Sequence, residues 1–374
     1  MIKRQITENI IKRLNTKKVV IIYGARQTGK TTLLKYIYNL YSNESIFLNC
    51  DEPSVREQLT NVNSVNLKQL VGNKKYVFID EAQRIKNIGI TLKLFVDELP
   101  DKKILASGSS AFELANQIKE PLTGRKFEFI LYPFSLNELI NEYGKIELDM
   151  NLENRIIFGM YPEIVTDVEN SKENLRLISE SYLYKDILTF REMRKPEILQ
   201  SLVRALALQI GNQVSYAELS KLLKIDQTTV QKYIDLLEKS FVIFRLNSFS
   251  KNVRTELKKT RKIYFYDTGI RNALIDNFQP LELRADKGAL WENFLISELI
   301  KKSANIRDFS KFYFWRTKLQ QEIDLIQENE NGLFGYEFKW NKNSKVKIPL
   351  TFTKAYPDAR IKIIDVNNFY ELFQ

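Results

Sequence analysis

Residues 24 to 32 read Gly24-Ala25-Arg26-Gln27-Thr28-Gly29-Lys30-Thr31-Thr32. This is a phosphate-cradling pattern: glycines at both ends let consecutive backbone N–H groups turn inward, and the next helix starts with its positive end facing them. In such a loop Lys30 reaches the β- and γ-phosphates of a bound nucleotide, and the Thr31 hydroxyl takes a place on Mg²⁺. A second acidic feature, Asp80-Glu81, closes the apolar run Tyr76-Val77-Phe78-Ile79. Asp80 is expected to hold Mg²⁺ through water, and Glu81 to polarise the water that attacks the γ-phosphate. Ser107, or failing it Ser109, is expected to set a hydroxyl beside that phosphate. Arg125 either stabilises the phosphoryl transition state or is a solvated surface arginine; both readings stay open.

These groups need a scaffold. Strand-like runs at Val19–Tyr23, Ser45–Cys50, Tyr76–Ile79 and Ile104–Ser107 alternate with helical patterns through the first 140 residues. Such alternation implies a parallel sheet covered by helices, with the chemistry carried at the strand ends. The segment Thr32-Leu33-Leu34-Lys35-Tyr36 continues the loop as a helix, and Met1–Leu14 reads as a helix docked on the same core. A guanine-specifying Asn-Lys-x-Asp is not found, since Asn73-Lys74-Lys75-Tyr76 lacks the aspartate. ATP with Mg²⁺ is the expected ligand.

Beyond about residue 145 the βα alternation gives way to helical patterns. Ser215-Tyr216-Ala217-Glu218 reads as a capping box, Lys224-Ile225-Asp226 as a turn, and Val230, Tyr233, Ile234 and Leu237 as the buried stripe of a second helix. Gln227, Thr228, Gln231 and Lys232 fall on its outer face. Phe241–Phe244 and Ile263–Tyr266 fit the strands of a wing, with Lys251, Arg254, Lys258, Lys259, Arg261 and Lys262 between them. A winged helix of this kind either contacts DNA or packs against protein as a lid.

Toward the C-terminus, Glu292 stands alone among apolar residues of a helix. Period-two alternation then puts Glu322 and Asp324 on one face of a strand, and Glu337 and Lys339 on one face of the return strand beyond an Asn331-Gly332 turn. Glu292, Asp324, Glu337 and Lys339 have the layout of a PD-(D/E)XK nuclease core, in which carboxylates hold Mg²⁺ against a phosphodiester and the lysine orients water. An exposed strand edge alternating acid and base gives the same bare pattern, so cleavage is left open.

Composition narrows the chemistry further. The 374 residues hold no histidine and one cysteine, Cys50, which excludes intrachain disulfides, Cys/His zinc sites and His-dependent nucleophile triads. Lys and Arg number 57 against 46 Asp and Glu, a net +11, favouring a polyanionic partner such as nucleic acid. No apolar run approaches the roughly 18 residues of a membrane span, so a cytoplasmic protein without a membrane partner is expected, with an oligomer or a protein partner left open.

In order, the motifs resemble one family, the bacterial and archaeal AAA-type ATPases fused to a C-terminal nuclease-like domain of unknown function. The resemblance is carried by Gly24–Leu33, Phe78-Ile79-Asp80-Glu81-Ala82-Gln83, Ser107–Ser110, Leu122–Arg125 and Tyr132–Ser135. It continues through Gly159-Met160-Tyr161-Pro162-Glu163, Tyr266-Asp267-Thr268-Gly269, Trp315-Arg316-Thr317 and Glu322-Ile323-Asp324; Met160 stands where the family has a second glycine. The resemblance implies an α/β multidomain chain. An ASCE-type P-loop ATPase would occupy 1–145, a helical connector 146–195, a winged helix 196–283 and an α/β nuclease-like domain 284–374. Two functions fit it. One is ATP hydrolysis with Mg²⁺ controlling a nucleic-acid-associated nuclease-like module. The other is a nucleotide-dependent switch whose catalytically inactive nuclease-like domain binds DNA or a protein.

Overall fold

A computed structural model describes residues 1–108, 118, 121–188, 196–250, 261–341 and 346–373. The side chains of 181–188 and 196 are not among the described ones. Ser109 and the basic residues Lys251, Arg254, Lys258 and Lys259 lie outside the described residues. The chain divides into two compact units, residues 1–134 with Lys239–Phe241, and residues 135–238 with 242–374.

The first unit holds helices α1 (Thr7–Leu14), α2 (Lys30–Leu40), α3 (Pro53–Leu59), α4 (Ser64–Val71) and α5 (Ile88–Glu98). Its strands are β1 (Val19–Tyr23), β2 (Ser45–Asn49), β3 (Tyr76–Asp80), β4 (Lys103–Gly108) and β5 (Lys126–Ile130). They form one sheet in the order β2-β3-β4-β1-β5, with all neighbours parallel. Strands β1 and β3 are buried along their whole length, as continuous apolar runs in a sheet covered on both faces should be. Ile6 at the N-cap of α1, with Ile10 and Leu14 within it, packs into a core with Val20, Ile22, Leu33, Leu34 and Ile37. The short apolar stripe of α1 is thus what anchors the chain start beside the strand that leads into the glycine loop.

The second unit begins with α6 (Leu136–Tyr143), capped by Ser135 and Glu138 in a reciprocal box, then α7 (Lys145–Phe158), α8 (Pro162–Thr166), α9 (Ser171–Leu188) and α10 (Pro196–Leu208). There follow β6 (Gln213–Val214), α11 (Tyr216–Leu223), α12 (Gln227–Lys239), β7 (Ile243–Ser248), β8 (Arg261–Phe265) and α13 (Thr268–Leu274). The last part comprises α14 (Lys287–Ile306), β9 (Lys311–Arg316), β10 (Glu322–Asn329), β11 (Gly332–Phe338), α15 (Leu350–Ala355) and β12 (Arg360–Ile364). Ser215 caps α11 by accepting from the Glu218 N–H, and Lys224 ends that helix in the left-handed region at φ 54°.

Seven strands of this unit make a single sheet, β12-β11-β10-β9-β7-β8-β6. The β6–β8 and β7–β8 pairs are antiparallel, and β7 joins β9 in parallel through Asn247–Tyr313 and Ser248–Phe314. The sheet is therefore continuous between 213–265 and 311–364. Arg261 and Lys262 are the first residues of β8 rather than members of a loop between two strands.

Candidate functional site

In the first unit β1 delivers the chain into the loop at 24–29, and α2 starts at Lys30 behind Gly29 at φ 92°. Gly24 is required by close approach: a Cβ there would fall 2.3 Å from the Leu131 carbonyl oxygen. Thr28 Oγ1 donates to the Ala25 carbonyl at 2.9 Å. The buried Lys30 ammonium turns back on the loop, 3.0 Å from Gly24 O and 2.6 Å from Ala25 O. Those are bonds that incoming phosphate oxygens can replace with stronger, charge-assisted ones. Thr31 is half-buried and Thr32 exposed, as are Arg26 and Gln27 respectively. The loop is held from outside by Arg4, whose guanidinium donates to Thr28 O at 2.9 Å and Tyr132 O at 2.6 Å and lies 4.8 Å from the Phe134 ring centroid.

The strand order sets β4 between β1 and β3, so the end of β4 lies between the loop and Asp80. Buried Ser107 donates to Asp80 Oδ1, and its oxygen is 3.4 Å from the Glu81 N–H. Glu81 itself sits in the left-handed region at φ 53°, a conformation that costs a non-glycine residue of order 1–3 kcal/mol and clusters at functional sites. Gln83 Nε2 donates to Glu81 Oε2 at 2.5 Å. Lys30, Thr31, Asp80, Glu81 and Ser107 thus lie at one edge of the sheet, where loop backbone, an ammonium, hydroxyls and carboxylates suit a nucleotide triphosphate with Mg²⁺.

Arg125 does not join them. It precedes β5, and β1 and β5 are parallel with Val19 opposite Lys126 and Tyr23 opposite Ile130. Arg125 is therefore at the strand-start edge, a full strand of five residues at about 3.3 Å each from the loop. Its Nε is 2.8 Å from Asp97 Oδ1 on the exposed surface. From that edge Arg125 does not reach a nucleotide held by the chain's own loop.

In the second unit Glu292, Asp324, Glu337 and Lys339 do converge. Lys339 Nζ stands 2.9 Å from Glu337 Oε2 and 3.5 Å from Asp324 Oδ2, and Asp324 Oδ2 accepts from the Phe338 N–H at 2.8 Å. Burial, and then repulsion by Asp324, raises Glu337 to about 7 against the pull of Lys339. Burial likewise raises Glu292 to about 7, with Lys262 opposing the shift and Asp324 adding to it.

Lys262, expected from its neighbours to be a solvent-facing wing residue, is instead buried in this cluster: its Nζ is 3.1 Å from Glu292 Oε1 and paired with Glu322. The hydroxyl of Tyr264, on the same face of β8, donates to Glu292, and Arg316 Nη1 is 3.0 Å from Glu322 Oε2. Period-two alternation along Lys262-Ile263-Tyr264 is the sequence signal for this shared face. Among the described residues no three carboxylates are placed to hold a metal ion. Asp324 and Glu337, the pair expected to share Mg²⁺, instead share the Lys339 ammonium.

Residues 16–140 match the model of the AAA domain. With the loop and the strand order, this gives residues 16–140 the fold of a AAA domain with a P-loop. Residues 149–281 match a domain of unknown function, DUF8612, and residues 287–372 another, DUF4143. The chain is 27% identical over 395 residues to an uncharacterized protein of Methanocaldococcus jannaschii, covering 97% of this chain and 85% of that one. It is 27% identical over 375 residues to an uncharacterized protein of Mycobacterium tuberculosis, covering 97% and 79%. Solved structures with likeness include AMPPCP-bound DnaA from Aquifex aeolicus, at 17% identity, TM-score 0.28, and coverage of 62% of this chain and 86% of that one. The Thermotoga maritima RuvB Holliday junction branch migration motor matches at 16% identity, TM-score 0.31, and coverage of 67% and 94%. Among the described residues no helix is long and apolar enough to cross a membrane.

Proposed function

We propose that the chain binds ATP with Mg²⁺ and hydrolyses it, and that the nucleotide state controls a nucleic-acid-associated module formed by the second unit. The observation that carries this is the grouping of the Lys30 ammonium, Asp80, Glu81 and Ser107 at one sheet edge beside a glycine loop. Lys30 neutralises the β- and γ-phosphates, Thr31 and Asp80 hold Mg²⁺, and Glu81 takes the proton of the attacking water. Purified protein should release phosphate from ATP only with Mg²⁺. Lys30→Ala should lose tight nucleotide binding, whereas Glu81→Gln should bind and lose turnover by about a hundredfold or more. Unchanged turnover in Glu81→Gln would assign the water to another group.

A second reading concerns the other unit. The order α10-β6-α11-α12-β7-β8 supports a winged helix, and the Glu292, Asp324, Glu337 and Lys339 layout supports a nuclease-like fold. The lysine-filled carboxylate cluster favours the version in which that fold binds its partner without cutting it, so that the chain is a nucleotide-dependent switch.

A further inference from the structure

We infer that Lys262 is a built-in counter-ion that occupies the place a divalent cation would take, which makes the carboxylate cluster of the second unit metal-free by construction. This rests on the non-cutting reading of the second unit and adds the residue responsible.

Four carboxylates and three cations group in two neighbouring sets: Lys262 pairs with Glu292 and Glu322 and Arg316 with Glu322, while Lys339 pairs with Asp324 and Glu337. Lys262 is the innermost of the three, its side chain 2% exposed against 34% for Lys339 and 27% for Arg316. It bridges carboxylates from two elements, Glu292 on α14 and Glu322 at the start of β10. A metal ion would be expected to do the same, drawing ligands from a helix and a strand into one shell. Two carboxylates, Glu292 and Glu322, flank the Lys262 ammonium and offset the cost of burying its charge. A divalent cation drawn to Glu292 and Glu322 would have to displace this buried ammonium, and one held by Asp324 would meet its repulsion. The lysine arrives on β8, a strand of the same continuous sheet, so the counter-ion also ties β8 to α14 and β10.

The test uses nucleotide-free, full-length protein and Mn²⁺, with bound ion counted by electron paramagnetic resonance and cleavage read on labelled DNA and RNA. Wild type should bind no Mn²⁺ that Asp324→Asn removes, and should show no cleavage that Asp324→Asn removes. Lys262→Met, with its fold checked by circular dichroism, should gain an Asp324-dependent Mn²⁺ site at least about tenfold tighter than any weak wild-type binding. Lys262→Arg should behave as wild type. An Asp324-dependent Mn²⁺ in wild type without cleavage would overturn the role of Lys262 and leave the non-cutting reading intact. Asp324-dependent cleavage by wild type would overturn both. A folded Lys262→Met that gains no Mn²⁺ would also overturn the inference. The wild-type arm stands even if that variant fails to fold.

Discussion

Ser107 hydrogen-bonds to Asp80 across neighbouring strands, one position beyond the Ile79–Ala106 pair on each. The bond fixes one carboxylate oxygen of Asp80; in the proposed site the other faces a hydrated Mg²⁺. It also sets the serine oxygen near the Glu81 N–H, so one hydroxyl touches both acidic residues of the edge.

Ser107→Ala should therefore disturb the metal more than the nucleotide. Loss of an outer partner to a metal-binding group typically costs 10–100-fold in metal affinity or activity. We expect ATP binding without Mg²⁺ to be unchanged, with half-saturating Mg²⁺ for turnover raised by about tenfold or more. A titration of ATPase rate against Mg²⁺ reads this directly. An unaltered Mg²⁺ curve would mean that Asp80 needs no orienting donor.

Two distant sequence motifs meet in the second unit. Asp267 accepts from the Met160 N–H at 2.7 Å and from the Ile270 N–H at 3.2 Å, where it caps α13. Gly159, at φ 81°, lies so close that a Cβ would fall 2.0 Å from Asp267 Oδ1. Gly144 has a similar φ of 85° but open space around it. Gly159→Ala should accordingly lower stability by at least about 2 kcal/mol, through backbone strain and loss of the buried Asp267 bonds. Gly144→Ala, which carries the backbone strain alone, should cost about 1 kcal/mol. Urea unfolding midpoints compare the two, and equal losses would refute the Asp267 account.

Local chemistry is readable from the sequence where it depends on near neighbours. The glycine loop, the strand runs of the first 140 residues, the Ser215 cap and the Glu337–Lys339 face are set by spacings of a few residues, and period and turn chemistry encode them. Sheet order and remote pairing are set by tertiary packing. Nothing in the periodicity of Asn247-Ser248 announces a parallel partner at Tyr313-Phe314, and that pairing fuses two sheets that look separate along the chain. Charge groups Lys262 with its neighbours, and alternation with Ile263 puts it on the face of Tyr264 without revealing that this face of β8 is buried as well. Proximity to a turn suggests a role for Arg125, and only the parallel register of β5 against β1 reveals that it stands at the wrong edge. Arg4 leaves no signal at all, because a buried arginine that ties down loop carbonyls is indistinguishable in sequence from a solvated one.

The register of β8 also changes which residues should meet a polyanion. Lys262 is buried and paired, and Arg261 stacks over the Tyr216 ring at 5.1 Å. Exposed cations around the helix pair include Lys221 and Lys224 of the α11 end and Lys232 of α12, beside exposed Gln227, Thr228 and Gln231. If this face binds nucleic acid, attraction to phosphates must dominate and affinity must fall steeply with salt. Replacing Lys221, Lys224 and Lys232 by Ala should reduce the slope of log affinity against log salt by roughly 2–3 for duplex DNA, about 0.9 for each phosphate no longer neutralised. Gln227→Ala with Gln231→Ala should leave the slope and alter sequence preference alone, since amide side chains read bases rather than phosphates. Lys262→Met should leave the slope unchanged, because a buried ammonium releases no counter-ion on binding. Salt-insensitive binding, or none at low salt, would reassign α11 and α12 to packing against protein.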